Sequence, residues 1–311
     1  HGLDQGRLHG VRFAGGLFTN LSRDHLDYHL SMEAYLEAKL RLVAWPGLEF
    51  MAFNLDDASA AAVLRHAPAG LRKIGFTLSA TVPDDAGLEV VRASALTHSQ
   101  DGIAFEVSCA DGKAQVAAPL YGDFNVENLL GVFAVLRGLG FGPEEAARRL
   151  RQVRAVPGRM ERFASPQGAV AVVDYAHTPD ALSKALASLR RHCRGKLSVV
   201  LGCGGDRDRG KRPQMGAVAA QLADHVVLTD DNPRSEDGGA IIQEILAGCG
   251  RVDIITQRDR RAAIAAALER LAPDDVLLVA GKGHEDTQDI GGVKHPFSDR
   301  LVVRQLWGLA E

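Results

Sequence analysis

The sequence predicts an α/β protein whose second half forms a mostly parallel sheet with helices on both faces. Three observations carry that prediction. Short aliphatic and β-branched runs alternate with helical stretches after residue 157, as strand–helix–strand units do. The polar, glycine-bearing segments of that half follow the ends of strands, where open α/β sheets bind ligands. The length of 311 residues suggests two domains at ~150 residues each.

The first half reads in order as follows. A strand over 16–19 enters the loop NLSRDHLDYH, which holds Asp24, His25, Asp27 and His29. A helix over 31–43 follows, with Ser31 placed to cap it and Glu33 near the positive end of its dipole. Lys39 sits in that helix among Tyr35, Leu36, Leu40 and Val43. Further strands read at 51–54 and 73–76. An antiparallel patch reads at 88–95, 102–107 and 114–119, with turn signals between its strands. Two helices close the half, over 125–139 and 143–153, the second opening on Pro143, Glu144 and Glu145.

The glycine- and arginine-bearing link PGRMERF marks a boundary, giving domains 1–157 and 158–311. Beyond it, strands read at 169–173, 197–201, 225–228, 252–255 and 276–279. Helices read at 179–193, 212–222, 240–246, 258–271 and 299–309. The densest stretch is VVLGCGGDRDRGKRP, over 199–213. It joins a strand end, a glycine-rich charged loop and a helix start carrying Pro213, the usual frame for binding an anion. The plain alternative is a polar turn between two elements. The dinucleotide fingerprint G-x-G-x-x-G fails, because Arg207 stands where the third glycine belongs. DYAHTPD, this loop, TDDNPRSED and GKGHED follow the first, second, third and fifth strands, so four polar loops share one sheet edge.

Composition narrows the classes. A net charge of −3 gives no reason to expect a nucleic-acid or membrane partner. Cys109, Cys193, Cys203 and Cys249 lie far apart, with no zinc or C-x-x-C spacing, as in a reduced cytoplasmic protein. His25 and His29 lack a third and fourth zinc ligand. No run reaches the length of a membrane span and no signal peptide opens the chain. The chain opens on His1 and reads as a protein cut inside a domain.

Eight segments then fall in one order: DHLDYH, the lysine of EAYLEAK, the asparagines of GDFNVEN, GRMERF, VVDYAHTPDAL, GCGGDRDRGKRP, DDNPR and GKGHED. Together they resemble the Mur ligases from end to end of the chain. The resemblance implies the later part of a P-loop-type central ATPase domain, followed by a Rossmann-like C-terminal domain that binds an amino acid. A P-loop itself is missing, since the GK pairs at Gly112, Gly195, Gly210 and Gly281 are never followed by Ser or Thr. The chain alone is therefore expected to be inactive. The family's chemistry uses ATP and Mg²⁺ to activate a carboxylate of a UDP-N-acetylmuramoyl-dipeptide as an acyl phosphate. An amino group then displaces the phosphate, in peptidoglycan precursor synthesis. DDNPR resembles the branch that adds meso-diaminopimelate. A cytoplasmic monomer is expected.

The resemblance also implies roles. Lys39 matches a carbamylated lysine that supports magnesium, and His25 a metal-ligating histidine. Asn125 and Asn128 match a pair that contacts adenine, while Arg159 and Asp174 match residues reaching the phosphates and ribose. Gln5 and Arg7 match contacts to the UDP-linked substrate. Arg207, Asp231, Asn232, Pro233, Arg234, Gly281 and Glu285 match the amino-acid pocket, with the arginines on carboxylates and Glu285 on the ammonium. His177 receives no role. Read without the resemblance, Lys39 is a solvated helical lysine, the asparagines begin a helix, and GKGHED is a glycine turn. The competing functions are an L-lysine-adding ligase, a folylpolyglutamate synthetase-like enzyme, a dinucleotide-dependent oxidoreductase and a non-catalytic nucleotide-binding module.

Overall fold

The structure is a computed structural model that describes residues 1–22, 25–250 and 253–310. Asp24 and the side chain of Asp27, in DHLDYH, lie outside the described residues, as does Val252, the first residue of the strand expected over 252–255. The chain forms two compact units. The first comprises His1–Thr97, Ala104–Ala118 and Asp123–Val153, and the second His98–Ile103, Pro119–Gly122 and Arg154–Glu311.

The first unit begins with turns over 1–10, then β1 (Gly15–Phe18), the single-turn α1 (Leu26–His29) and α2 (Met32–Leu40). Ser31 caps α2, its hydroxyl accepting from the Ala34 N–H at 3.2 Å. β2 (Phe50–Asn54), α3 (Ala60–His66) and β3 (Arg72–Thr77) follow, with β1, β2 and β3 parallel. β4 (Leu88–Ser99) runs parallel to β3, and β5 (Gly102–Cys109) and β6 (Gly112–Ala118) extend the sheet in chain order. α4 (Asp123–Gly138) buries Val126, Leu129, Leu130, Phe133 and Ala134, and α5 (Pro143–Leu150) opens on Pro143 as expected. The apolar strands face a core of Phe18, Val43, Met51, Phe53 and Val63.

In the second unit the sheet order is β11 (Ile255–Thr256), β10 (His225–Leu228), β9 (Leu197–Leu201), β12 (Val276–Ala280), β8 (Val170–Asp174) and β7 (Glu161–Ala164). All neighbours are parallel except β7, which pairs antiparallel with β8. Half of the expected PGRMERF link is thus an edge strand. Successive side chains of each strand point to opposite faces, and both faces are covered. Val172, Val199, Leu201, Val226 and Leu278 pack on one side against α6 (Pro179–His192), α7 (Lys211–Leu222) and α8 (Gly238–Cys249). Val173, Val200, Val227 and Val279 pack on the other side against α9 (Arg260–Glu269) and α10 (Asp299–Trp307). A two-stranded hairpin, β13 (Thr287–Ile290) and β14 (Val293–Pro296), was not expected from the sequence. Among the described residues no helix is long and apolar enough to cross a membrane.

Candidate functional site

The loops after β10 and β12 meet at the carboxyl edge of the second sheet. β10 ends at Leu228, and the chain leaves it as Thr229, Asp230, Asp231, Asn232, Pro233 and Arg234. β12 ends at Ala280 and continues as GKGHE. Asn232 Nδ2 donates to Glu285 Oε2 at 2.9 Å. Lys282, wholly buried, donates from Nζ to Asn232 Oδ1 at 2.9 Å and to Glu285 Oε2 at 3.0 Å. The backbone N–H of Asp289, on β13, also donates to Asn232 Oδ1 at 3.0 Å. Burial pushes the Glu285 carboxyl up, but the bonds from Asn232 and Lys282 outweigh it and hold the group below its ordinary range.

Arg234 completes this ledge in an unusual conformation. Its φ is +51°, a left-handed backbone that costs a non-glycine residue about 1 kcal/mol. Three bonds hold it there. Its N–H donates to the Asp289 carbonyl at 3.0 Å, and its carbonyl accepts from Gly291 at 2.7 Å. Its guanidinium donates to the Gly205 carbonyl at 2.6 Å. The hairpin missed by sequence reading therefore positions both Asn232 and Arg234.

Asp231 lies beneath the ledge. Burial pushes its carboxyl up, against the opposing pull of Arg260 and Lys282. Arg260 is itself buried in a pair with Asp299, both side chains fully covered, at 2.8 Å. Pro233 is buried behind Arg234, and the Gly281 N–H donates to the Asp174 carbonyl at 3.1 Å.

The charged glycine loop is different. Arg212 is fully buried and reaches Glu236 at 2.8 Å and Glu244 at 2.8 Å. Arg209 pairs with Glu244 as well. Asp206 accepts from the Ser235 hydroxyl at 2.6 Å, and its N–H donates to Glu236 Oε1 at 2.6 Å. These donors pull the Glu236 carboxyl down to about 2. The loop's charges thus tie α7 to α8 and to the 234–236 turn, so the polar-turn alternative describes most of it. Arg207 stands apart: it is exposed, and its guanidinium donates only to the Asp206 carbonyl, at 3.3 Å, among the described residues.

The turn before β7 closes on the loop after β12. Gly158 has φ +67° and Gly283 φ +52°, and their backbones press together. A Cβ on Gly158 would stand 2.1 Å from the Gly283 carbonyl carbon, and one on Gly283 would stand 2.7 Å from the Gly158 oxygen. Glycine alone fits either place. Asp174, at the end of β8, accepts from the N–H groups of Met160 at 2.8 Å and Ala176 at 2.9 Å. Burial still raises its carboxyl overall. Arg159 stacks on the Tyr175 ring at 4.5 Å, and His177 turns Nδ1 to the Tyr175 carbonyl.

In the first unit, Tyr35 links the expected metal residues. Its ring lies 6.0 Å from that of His25 and 4.9 Å from that of His29. Lys39 Nζ stands 5.1 Å over Tyr35 and 5.5 Å over Phe18, so its amine does face an aromatic surface. Among the described residues no three His, Cys, Asp or Glu side chains gather as a metal would require. Asn125 and Asn128 share a face in the first two turns of α4, joined at 3.2 Å. Gln5 bonds the His1 ring at 2.7 Å, and Arg7 is exposed. A cavity of about 770 Å³ adjoins the ledge, between the hairpin and the starts of α9 and α10, with Asp230, Gln288, Ile290, Phe297 and Leu301 in its wall.

The residue sequence reading passed over is Lys282. Its one signal was position: a lysine between two glycines directly after a buried strand.

Comparison with known proteins identifies the two units. Residues 1–136 match the Mur ligase middle domain, and residues 158–283 match the glutamate ligase domain of the Mur ligases. The chain is 50% identical over 311 residues to a protein of Alkalilimnicola ehrlichii named UDP-N-acetylmuramoyl-L-alanyl-D-glutamate–2,6-diaminopimelate ligase, covering all of this chain and 61% of that one. It is 46% identical to the protein of the same name from Vibrio vulnificus, of which it covers 62%. A solved structure of a ligase so named superposes with a TM-score of 0.79 at 39% identity, over 99% of this chain and 63% of that one. The chain thus spans about three fifths of the length of these relatives. With both halves matched and the two units folded as α/β sheets of the same kind, the chain belongs to the Mur ligase family, carrying its middle domain and its glutamate ligase domain.

Proposed function

We propose that this chain is the nucleotide-handling and amino-acid-selecting part of an ATP-dependent ligase that joins meso-diaminopimelate to UDP-N-acetylmuramoyl-L-alanyl-D-glutamate. The observation that carries the reading is the ledge of Asn232, Arg234 and Glu285. An amide donor and a planar guanidinium suit a carboxylate, and a carboxylate beside them suits an ammonium. Diaminopimelate ends in both groups on one carbon. Lysine ends in an ammonium alone, which leaves the half-buried arginine bonded to the Gly205 carbonyl but without a carboxylate, a cost of about 2 kcal/mol.

In the reaction the γ-phosphoryl group of ATP passes to the substrate carboxylate, giving an acyl phosphate and ADP. The amino group attacks the acyl carbon, loses a proton, and phosphate leaves as the amide forms. Asn125 and Asn128 offer the paired donor and acceptor that an adenine edge needs. Arg159, held flat on Tyr175, offers its cation to phosphate oxygens. Asp174 fixes the turn that carries Arg159 through its bond from Met160. Gln5 and Arg7 are proposed for the UDP-linked substrate, and Arg207 for a carboxylate of the amino acid. Asp231, Pro233 and Gly281 shape the floor of that pocket.

Magnesium is expected with ATP, but the residues around Lys39 do not fit it as they stand. Among the described residues they offer an imidazole and an ammonium, whereas Mg²⁺ takes oxygen donors. Carbamylation by carbon dioxide would turn the Lys39 amine into an oxygen-bearing anion.

The test is amide formation with each amino acid, in an enzyme of the relatives' full length that contains this chain. Meso-diaminopimelate is expected to be used at least about 30-fold better than L-lysine, which corresponds to ~2 kcal/mol. Preference for lysine would replace this reading with that of a lysine-adding ligase.

A further inference from the structure

We propose that Lys282 is a positioning residue that sets which atoms of Asn232 and Glu285 face the incoming amino acid. The inference rests on the function proposed above and adds a residue to its specificity.

A fully buried ammonium is tolerated only where acceptors replace its water. Lys282 has two, Asn232 Oδ1 and Glu285 Oε2. The consequence for Asn232 is a fixed amide. Its oxygen receives both the Lys282 ammonium and the Asp289 N–H. Turning the amide over would set its NH₂ against two donors, so Nδ2 must face outward. One of its hydrogens goes to Glu285 Oε2, and the other has no partner among the described residues. Asn232 is thereby a donor to the pocket and suits a carboxylate.

Glu285 is fixed by the same cation. Oε2 receives two donors, while Oε1 receives none among the described residues. Oε1 is the atom left for an ammonium. Charge follows geometry: Lys282 balances Glu285, so the pocket presents one acceptor without a net negative field. Such a pocket accepts an amino-acid end carrying both charges. Without Lys282, the Glu285 anion repels the incoming carboxylate and favours a bare ammonium. The charged groups around Glu285 are Lys282 on its own loop, Arg234 and Asp231 on the loop after β10, and Arg260 on α9.

The test uses Lys282→Met and Lys282→Gln in an enzyme of the relatives' full length that contains this chain. In Lys282→Met the KM for meso-diaminopimelate is expected to rise about 30-fold, ten times more than kcat falls, with the KM for ATP within about twofold. The preference for diaminopimelate over lysine should fall at least about tenfold. The acid limb of kcat/KM for diaminopimelate should move to higher pH, since Glu285 loses the cation that lowers its pKa. Lys282→Gln keeps a donor for Asn232 but no charge. It should retain more affinity than the methionine variant while showing the same shift of the acid limb.

A folded Lys282→Met enzyme with unchanged diaminopimelate kinetics would overturn the assignment. So would equal rises in the KM values for ATP and diaminopimelate, or two variants that both fail to fold, either of which makes Lys282 a packing residue. The wild type separates the two levels of inference. If it does not use diaminopimelate, the function proposed above is wrong; if it does and the variants keep its selectivity, only the role of Lys282 is wrong.

Discussion

Two regions of the same sheet edge make a useful contrast. The loop after β9 carries Asp206, Arg207, Asp208, Arg209, Lys211 and Arg212, and looks in the sequence like the richest binding site of the chain. The loops after β10 and β12 carry fewer charges. Yet the charges of the first are largely taken up by the fold, through Arg212 to Glu236 and to Glu244 of α8 and through Asp206 to Ser235. The others keep polar atoms without partners among the described residues, on Asn232 and Glu285. Charge density marks a place where charges must be resolved. A binding site is where some of them are left unresolved by the fold.

The contrast breaks first at Arg212. Arg212→Ala removes a buried cation from two carboxylates and should lower stability by about 3 kcal/mol, read from urea unfolding. An unfolding free energy within about 0.5 kcal/mol of wild type would mean the loop is not a structural clasp.

Arg234 should behave in the opposite way. Arg234→Ala is expected to raise the KM for meso-diaminopimelate by about 30-fold, or ~2 kcal/mol, with little change in the KM for ATP. Arg234→Gly should lose diaminopimelate equally while relieving the left-handed strain, so its melting temperature should not fall below that of the alanine variant. Equal effects on lysine and diaminopimelate would remove Arg234 from amino-acid selection.

A pH series sharpens the clasp further. The Glu236 carboxyl is held at about 2, below its ordinary 4.5. A lowered acid contributes stability above its unfolded value, and loses it as pH falls through the folded one. Between about pH 5 and 2 the wild type should therefore lose more stability than Glu236→Gln, seen in urea midpoints. Parallel curves would assign the acid sensitivity to other groups. The smallest effect belongs to Arg207. Its exposed guanidinium meets one carbonyl, so Arg207→Ala should change stability by less than about 0.5 kcal/mol. The same variant should raise the KM for diaminopimelate; an unchanged KM would exclude Arg207 from the pocket.

The central strands were legible because both their faces are buried. Val276–Ala280 is therefore a continuous aliphatic run, and Leu197–Leu201 is one broken only by Ser198, so neither needs a partner to be recognised. β7 and the hairpin of β13 and β14 were not. Glu161–Ala164 is a short edge strand, and Val293–Pro296 is exposed along its whole length, so neither carries an apolar run. Asn232 and Glu285 were named from their motifs and do meet. Lys282 was passed over because burial is invisible in a sequence, and a lysine is by default placed in water. The charged loop misled for the converse reason: its partners Glu236 and Glu244 lie over 20 residues downstream, where no local pattern joins them to Arg212.

The contact of Gly158 with Gly283 has a consequence for inheritance. Each backbone occupies the space that a methyl group on the other would need. A change at one position cannot be rescued by trimming its neighbour, because the neighbour has nothing left to trim. The two sites should form a closed pair in a saturation library, with every substitution depleted at both and no second-site revertant between them. Descendants of this chain therefore inherit the approach of these two backbones, and with it the spacing between Arg159 and Glu285, as a fixed length.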